Sequence, residues 1–192
     1  FIMSEIFREK LHKGLVQEIK IRKSLVDKES KYQKIQIFDS YTYGRILALD
    51  GIIQITEKDE SAYSEMLVHP AMNCLIGPKN ILIIGGGDGA VAEELLKYKF
   101  IVRIDLVDID IEVINLSKKY FKKVNNDSLN NKKVHIFDQD ATKNALITSN
   151  KKKGKQYNVN WNDTNVRFTV VNGFFWGMRP QAGDAVWNLY FE

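Results

Sequence analysis

Cysteine is almost missing from this chain. Cys74 stands alone, so no disulfide closes within it, and its composition fits a reducing compartment. Cys74 lies in an apolar stretch, where a buried structural thiol is expected. Histidine is equally sparse. His12, His69 and His135 are far apart, without the spacing of a zinc centre, and no metal site is expected. No apolar run approaches the roughly 18 residues of a membrane span, and no secretory leader pattern precedes the first polar stretch. A cytoplasmic location is the expectation, with Met3 read as the start and Phe1–Ile2 as a fragment boundary. Charge of one sign is also in short supply. The formal net charge is +4, and the lysines are scattered. Their one dense run, Lys151, Lys152, Lys153 and Lys155, lacks the interleaved aromatics of a single-strand binder, so it reads as a solvated loop and no nucleic-acid partner is expected.

What is present is apolar content: 44% of 192 residues, enough for one sizeable core and a small second module. Apolar and polar residues alternate between 15 and 56. Leu15–Ile21, Lys34–Phe38, Arg45–Leu49 and Ile52–Ile55 read as short strands, with Asp50-Gly51 as a hairpin turn. Thr56 and Asp59 open a helix that is expected to run to about Val68, with Pro70 ending or kinking it. Ile81–Ile84, begun by Asn80, is a continuous apolar run of the kind buried on both faces of a parallel sheet. A glycine loop, a helix from Ala90, a strand over Val102–Asp108, a helix near Ile111–Phe121, an Asn-rich loop and a strand over Lys133–Phe137 follow. That order predicts an α/β fold, a Rossmann-like doubly wound parallel sheet, preceded by a small antiparallel β-hairpin module. Boundaries are placed at 1–58, 59–165 and 166–192. The last segment contains no lysine and two of the three tryptophans, Trp176 and Trp187; it is expected not to continue the sheet, leaving it incomplete.

The loop Gly85-Gly86-Gly87-Asp88-Gly89 lets a ligand approach the backbone, at Gly85 and Gly87 above all. Asp108 follows by about 20 residues, where a carboxylate can take both ribose hydroxyls; capping the next helix is the alternative. Asp88 separates ligand classes. A pyrophosphate would meet a carboxylate in a partly desolvated site, whereas a sulfonium with an ammonium would be attracted. Asp88 therefore favours S-adenosylmethionine, and better its decarboxylated form, over a nicotinamide dinucleotide; its bland role is to satisfy a helix N-terminus. Asp140-Ala141, after the third strand, forms a further corner, with Asp140 placed for the adenine amino group or for loop capping.

Tyr32-Gln33, Tyr43-Gly44, Leu49-Asp50-Gly51, Gln54, Thr56-Glu57, Asp59-Glu60, Tyr63, Glu65-Met66 and His69-Pro70 run in order ahead of the glycine loop, and Val107-Asp108-Ile109-Asp110 with Val113-Ile114 follows it. Over about residues 30–146 this set resembles the spermidine synthases. The resemblance implies a methyltransferase-type sheet and aminopropyl transfer from decarboxylated S-adenosylmethionine to putrescine, giving spermidine and methylthioadenosine. It implies no resident cofactor and a homodimer or homotetramer. Gln33, Asp88, Asp108 and Asp140 would hold the nucleoside. Gln54 and Tyr63 would line the amine site, where Ser64 replaces the family's His or Gln. The family's catalytic aspartate can be laid on Asp163, as general base, if a strand begins at Tyr157. Two other readings stay open: a non-catalytic homologue acting as a binding or partner subunit, and a methyltransferase using intact S-adenosylmethionine.

Overall fold

The computed structural model describes residues 5–73 and 77–140, and the backbone of 166–171. Five antiparallel strands come first: β1 (Ile6–His12), β2 (Leu15–Glu29), β3 (Lys34–Ser40), β4 (Arg45–Leu49) and β5 (Ile52–Thr56), in sheet order β1-β2-β3-β4-β5. Asp50 and Gly51 both take positive φ, 51° and 76°, the geometry that matches a two-residue hairpin to the twist of its strands. β1 is a strand the alternation did not announce. Its inward positions are Phe7 and Glu9, and a buried acid hides the apolar period. Glu9 is retained inside because its Oε1 accepts the backbone N–H of Ile53 at 3.0 Å, across from β1 to β5. β2 is also much longer than expected. Register shifts near Arg22 and Leu25 bend it, so that its first half pairs with β1 and its second with β3.

Helix α1 (Glu60–Asn73) follows, and it does not stop before Pro70. Pro70 removes a hydrogen bond to the carbonyl of Met66. Both residues are exposed, so the break falls on the solvent side of the helix, which continues and buries Val68, Ala71 and Met72.

A parallel sheet is built from β6 (Asn80–Ile84), β7 (Arg103–Asp108), β8 (Val134–Asp138) and β9 (Val166–Val171), ordered β8-β7-β6-β9. Between them lie α2 (Ala90–Leu96), α3 (Ile111–Tyr120), the single turn α4 (Lys122–Asn125) and a 3₁₀ turn at Ser128–Asn130. The chain order reverses beside β6, which is the switch point where open α/β sheets bind ligands. β9 corrects the expectation for 166–192: the sheet is continued, with Ile83 opposite Val170 and Ile84 opposite Val171. Its partner β6 is more than eighty residues earlier, beyond the reach of a local pattern.

Ile81, Ile83, Ile104 and Leu106 form the centre of the sheet core, against Val91 and Leu95 of α2 and Val68 of α1. A second cluster joins Ile35, Ile37, Leu47 and Ile55 to Ala90, Val113 and Phe121. The antiparallel module and the parallel sheet therefore share a core, and side-chain links reinforce it: Arg45 donates to the Tyr120 carbonyl at 2.8 Å, and Lys28 pairs with Glu112 at 2.7 Å. Among the described residues no helix is long and apolar enough to cross a membrane.

Candidate active site

The carboxyl ends of β6, β7 and β8 meet at one edge. Gly85 donates its N–H to Val107 O at 2.7 Å, and Gln139 donates to Asp108 O at 2.9 Å, which brings Asp140, one residue on, to the same corner. Asp108 is held from two sides: Gly87 N–H donates to Oδ2 at 2.9 Å and Asp110 N–H to Oδ1 at 3.0 Å. A Cβ on Gly87 would stand 2.8 Å from Asp108 Oδ2 and 3.1 Å from Ile114 Cγ1. Glycine at that position is what lets the carboxylate lie against the loop. Burial pushes the Asp108 carboxyl up to about 6; the charges of Asp88 and Asp110 add to this, and the two N–H donors oppose it.

The cap of α3 is Asp110, not Asp108. Asp110 Oδ1 accepts Glu112 N–H at 3.1 Å, while its Oδ2 accepts Ser30 Oγ at 2.6 Å and Gln33 Nε2 at 2.9 Å. The antiparallel module is thus fastened beside the Asp108 carboxylate, and Gln33 is brought to Asp108 through Asp110. The role of Asp110 was not read from the sequence. Its signal was an acid two residues past the strand end, opening an apolar helix, which is an ordinary N-cap pattern.

Asp88 is half-buried at the end of the loop, and its Oδ1 accepts Ala90 N–H at 2.8 Å. It therefore performs the bland task of satisfying a donor in the first turn of α2 and also sets a carboxylate at the carboxyl edge of the sheet. Burial raises its pKa above the ordinary carboxylate range. Two further residues escaped the sequence reading. Asn125 Nδ2 donates to Asp88 O at 3.0 Å, and Ser128 Oγ donates to Gly89 O at 2.7 Å, so the Asn-rich loop holds the glycine loop from behind.

Next to this edge is a cleft of about 380 Å³ between β5 and the start of α1. Leu47 pairs with Ile55 and Ala48 with Ile53, so Gln54 is the extra residue of a β-bulge, and the bulge re-aims its side chain into the cleft. Thr56 Oγ1 donates to Asp59 Oδ1 at 2.5 Å and fixes the turn into α1. Tyr63, 45% exposed, lines the cleft and is not a core tyrosine. Ser64 does not line it. Its side chain is fully buried and its hydroxyl faces Glu60 Oε2 at 3.4 Å, because it occupies the inward side of α1 next to Val68. Direct contact of Ser64 with an amine, through water or otherwise, is therefore not what its position offers. His69 is also structural in its contacts, with Nε2 3.0 Å from Glu94 and Nδ1 2.8 Å from the Tyr98 hydroxyl.

Cys74, Ala141, Asp163, the 151–155 lysine run and the three tryptophans lie outside the described residues. The base expected of Asp163 presupposed a strand from Tyr157 that ended in it. The strand found beside β6 begins at Val166, after Asp163, and a side chain delivered by its carboxyl end would have to follow Val171.

The model of the spermine/spermidine synthase domain matches residues 60–169, and that of the spermidine synthase tetramerisation domain matches residues 6–57. The chain belongs to the spermine/spermidine synthase family. Among its curated family relatives, a polyamine aminopropyltransferase of Hydrogenobaculum sp. (strain Y04AAS1) is 46% identical over 123 residues, 64% of this chain and 44% of that protein. The spermidine synthase of Schizosaccharomyces pombe is 44% identical over 126 residues, 65% of this chain and 42% of that protein. The chain thus spans less than half the length of these curated relatives. Solved spermidine synthases share its fold. The Thermotoga maritima enzyme superposes with TM-score 0.69 at 32% identity, over 72% of this chain and 48% of its own. Another, solved with the transition-state analogue AdoDATO, gives 0.68 at 33%, over 70% and 46%. The two family segments divide the chain where β5 ends and α1 begins.

Proposed function

We propose that this chain carries the nucleoside-binding part of an aminopropyltransferase, which moves the aminopropyl group of decarboxylated S-adenosylmethionine to putrescine. The observation that carries this reading is the pairing of two carboxylates, Asp88 and Asp108, around a glycine loop that adjoins a cleft holding Gln54 and Tyr63. Asp108, with Gln33 placed by Asp110, suits the ribose. Asp140 suits the adenine corner. Asp88 suits a cationic sulfur and the ammonium of its propyl arm, and it opposes a pyrophosphate or a free carboxylate.

The chemistry is an in-line displacement. The acceptor nitrogen's lone pair forms the new C–N bond at the methylene next to sulfur, the C–S bond breaks, and its electron pair neutralises the sulfonium to give methylthioadenosine. The electrophile brings its own positive charge, so the reading requires neither a metal nor a resident cofactor. The acceptor amine arrives as an ammonium and must lose one proton before its lone pair can attack, so a carboxylate base near the nitrogen completes the site. Asp163 is the residue of this chain from which the reading draws that base. The match of 6–57 to a tetramerisation domain supports assembly through the antiparallel module, as a dimer or tetramer.

The test is product formation. Incubated with decarboxylated S-adenosylmethionine and putrescine, the chain is expected to release spermidine and methylthioadenosine in equal amounts. Methylation of the amine with intact S-adenosylmethionine would replace this reading with a methyltransferase. Nucleoside binding without either product would leave a non-catalytic binding subunit.

A further inference from the structure

The cleft beside the glycine loop contains a carboxylate that the family resemblance did not assign. Glu60, the first residue of α1, lines it together with Gln54 and Tyr63, and Ile53, Ile55 and Ala62 supply apolar wall. An amide, a phenol and two carboxylates, Glu60 and the Thr56-bound Asp59, around an apolar trough form a shape for an aliphatic chain with a cationic end. Glu60 is also the group that spans the two halves of the site. It lies on α1, which packs on α2, and it is close enough to feel the charges of Glu94, Glu93 and Asp88. The buried Ser64 hydroxyl behind it orients the carboxylate at 3.4 Å.

We infer that Glu60 binds the ammonium end of an aliphatic diamine acceptor in this cleft, with Ser64 positioning the carboxylate rather than touching the amine. This rests on the reading under Proposed function and adds to it the residue that anchors the second substrate. An unpaired carboxylate in this place is unfavourable. Burial and then the charges of Glu94 and Glu93 push the Glu60 carboxyl up to about 6, Asp88 adds to the rise, and only the Ser64 hydrogen bond opposes it. The Glu93 and Glu94 carboxylates whose charges reach it from α2 already have partners, and Glu65 of α1 is exposed. Lys97 pairs with Glu93 at 3.1 Å and with Glu94 at 2.5 Å, and His69 contacts Glu94 at 3.0 Å. Asp59 takes the Thr56 hydroxyl. A ligand cation is what remains to satisfy Glu60, and its arrival would lower the pKa and hold the carboxylate ionised.

The experiment is calorimetric titration of putrescine into the 192-residue chain saturated with methylthioadenosine, for the unchanged sequence and for Glu60→Gln. Glu60→Gln is expected to weaken putrescine about thirtyfold at neutral pH, and to leave methylthioadenosine affinity within about twofold, the loss of one charge-assisted contact. Putrescine binding to the unchanged chain is expected to weaken below pH 6, by up to about tenfold per unit, as the carboxylate takes its proton, and the slope should be absent in Glu60→Gln. A purely structural glutamate would not produce that pH difference. The inference is overturned if Glu60→Gln binds putrescine as the unchanged chain does, or if it loses methylthioadenosine by the same factor. It is also overturned if the unchanged chain binds methylthioadenosine but no putrescine. If the unchanged chain binds no methylthioadenosine, the reading of the nucleoside site fails first, and this inference falls with it.

Discussion

Replacing Asp108 with asparagine is expected to weaken methylthioadenosine binding about a hundredfold while changing the stability of the fold by no more than about 1 kcal/mol. Two ribose hydroxyls donating to an ionised carboxylate make charge-assisted hydrogen bonds, each contributing about 1.5–3 kcal/mol. Asparagine keeps one acceptor oxygen and places a donor where the second hydroxyl needs an acceptor. The stability side follows from burial. The Asp108 carboxyl sits at about 6 in the fold, against an ordinary 3.8. A carboxyl raised on folding keeps its proton longer in the folded state. Stability therefore falls as pH rises through that window, and above it the ionised group remains a cost. Asparagine removes this cost at neutral pH but turns an amide donor toward one of the two backbone N–H groups, Gly87 or Asp110, that the carboxylate accepts, so the two effects oppose. The ligand itself is uncharged, so its affinity should rise between pH 5 and pH 7 as Asp108 ionises, and Asp108→Asn should be flat over that range. Calorimetry and thermal melts of the two proteins check both halves. A variant that unfolds, or one that binds as well as the unchanged chain, would show that Asp108 is a structural cap.

Gly89→Ala is expected to have the largest effect on the fold. Gly89 has φ +85°, and an added Cβ would lie 2.7 Å from Leu129 Cγ, 2.9 Å from Asn125 Cβ and 2.9 Å from Ser128 Oγ. The left-handed backbone costs an alanine roughly 1–2 kcal/mol, and overpacking a closed interior adds about 1–3 kcal/mol. Leu129 and Ser128 are buried, so none of these atoms is the free end of a flexible side chain. Relief would require the 125–130 turn to move. That movement would break the bonds from Asn125 to Asp88 O and from Ser128 to Gly89 O, which hold the loop. A loss of about 2–5 kcal/mol in denaturant unfolding, accompanied by loss of nucleoside binding, is the expected result. An alanine variant with unchanged stability would mean that the loop is not packed against that turn.

Much of this site was legible because its signals are local. Ile81–Ile84 could only be a strand buried on both faces, and the glycine loop, Asp88 and Asp108 follow in fixed order from it. The hairpin at Asp50-Gly51 was legible for the same reason, since positive φ at both positions selects those residues. What stayed hidden depends on partners far along the chain. The acid Glu9 breaks the alternation of β1, and only the Ile53 N–H, forty-four residues on, explains it. Pro70 reads as a stop, yet it lies on the exposed side of α1, where the missing intrahelical bond need not leave a buried group unpaired. Asp110 looks like a helix cap and is one, but its second oxygen gathers Ser30 and Gln33 from the other module. Tyr63 and Ser64 were both expected at the amine site, and nothing local showed that Tyr63 lines the cleft while Ser64 is buried behind it.

The central claim is that this edge is built for a cationic nucleoside. The most direct measurement is titration of the purified chain with decarboxylated S-adenosylmethionine and, in parallel, with S-adenosylmethionine. The two ligands differ by one carboxylate, which would face Asp88. The account predicts that the decarboxylated ligand binds at least about tenfold more tightly, a difference of about 1.4 kcal/mol. Equal affinity, or preference for the carboxylated ligand, would contradict it.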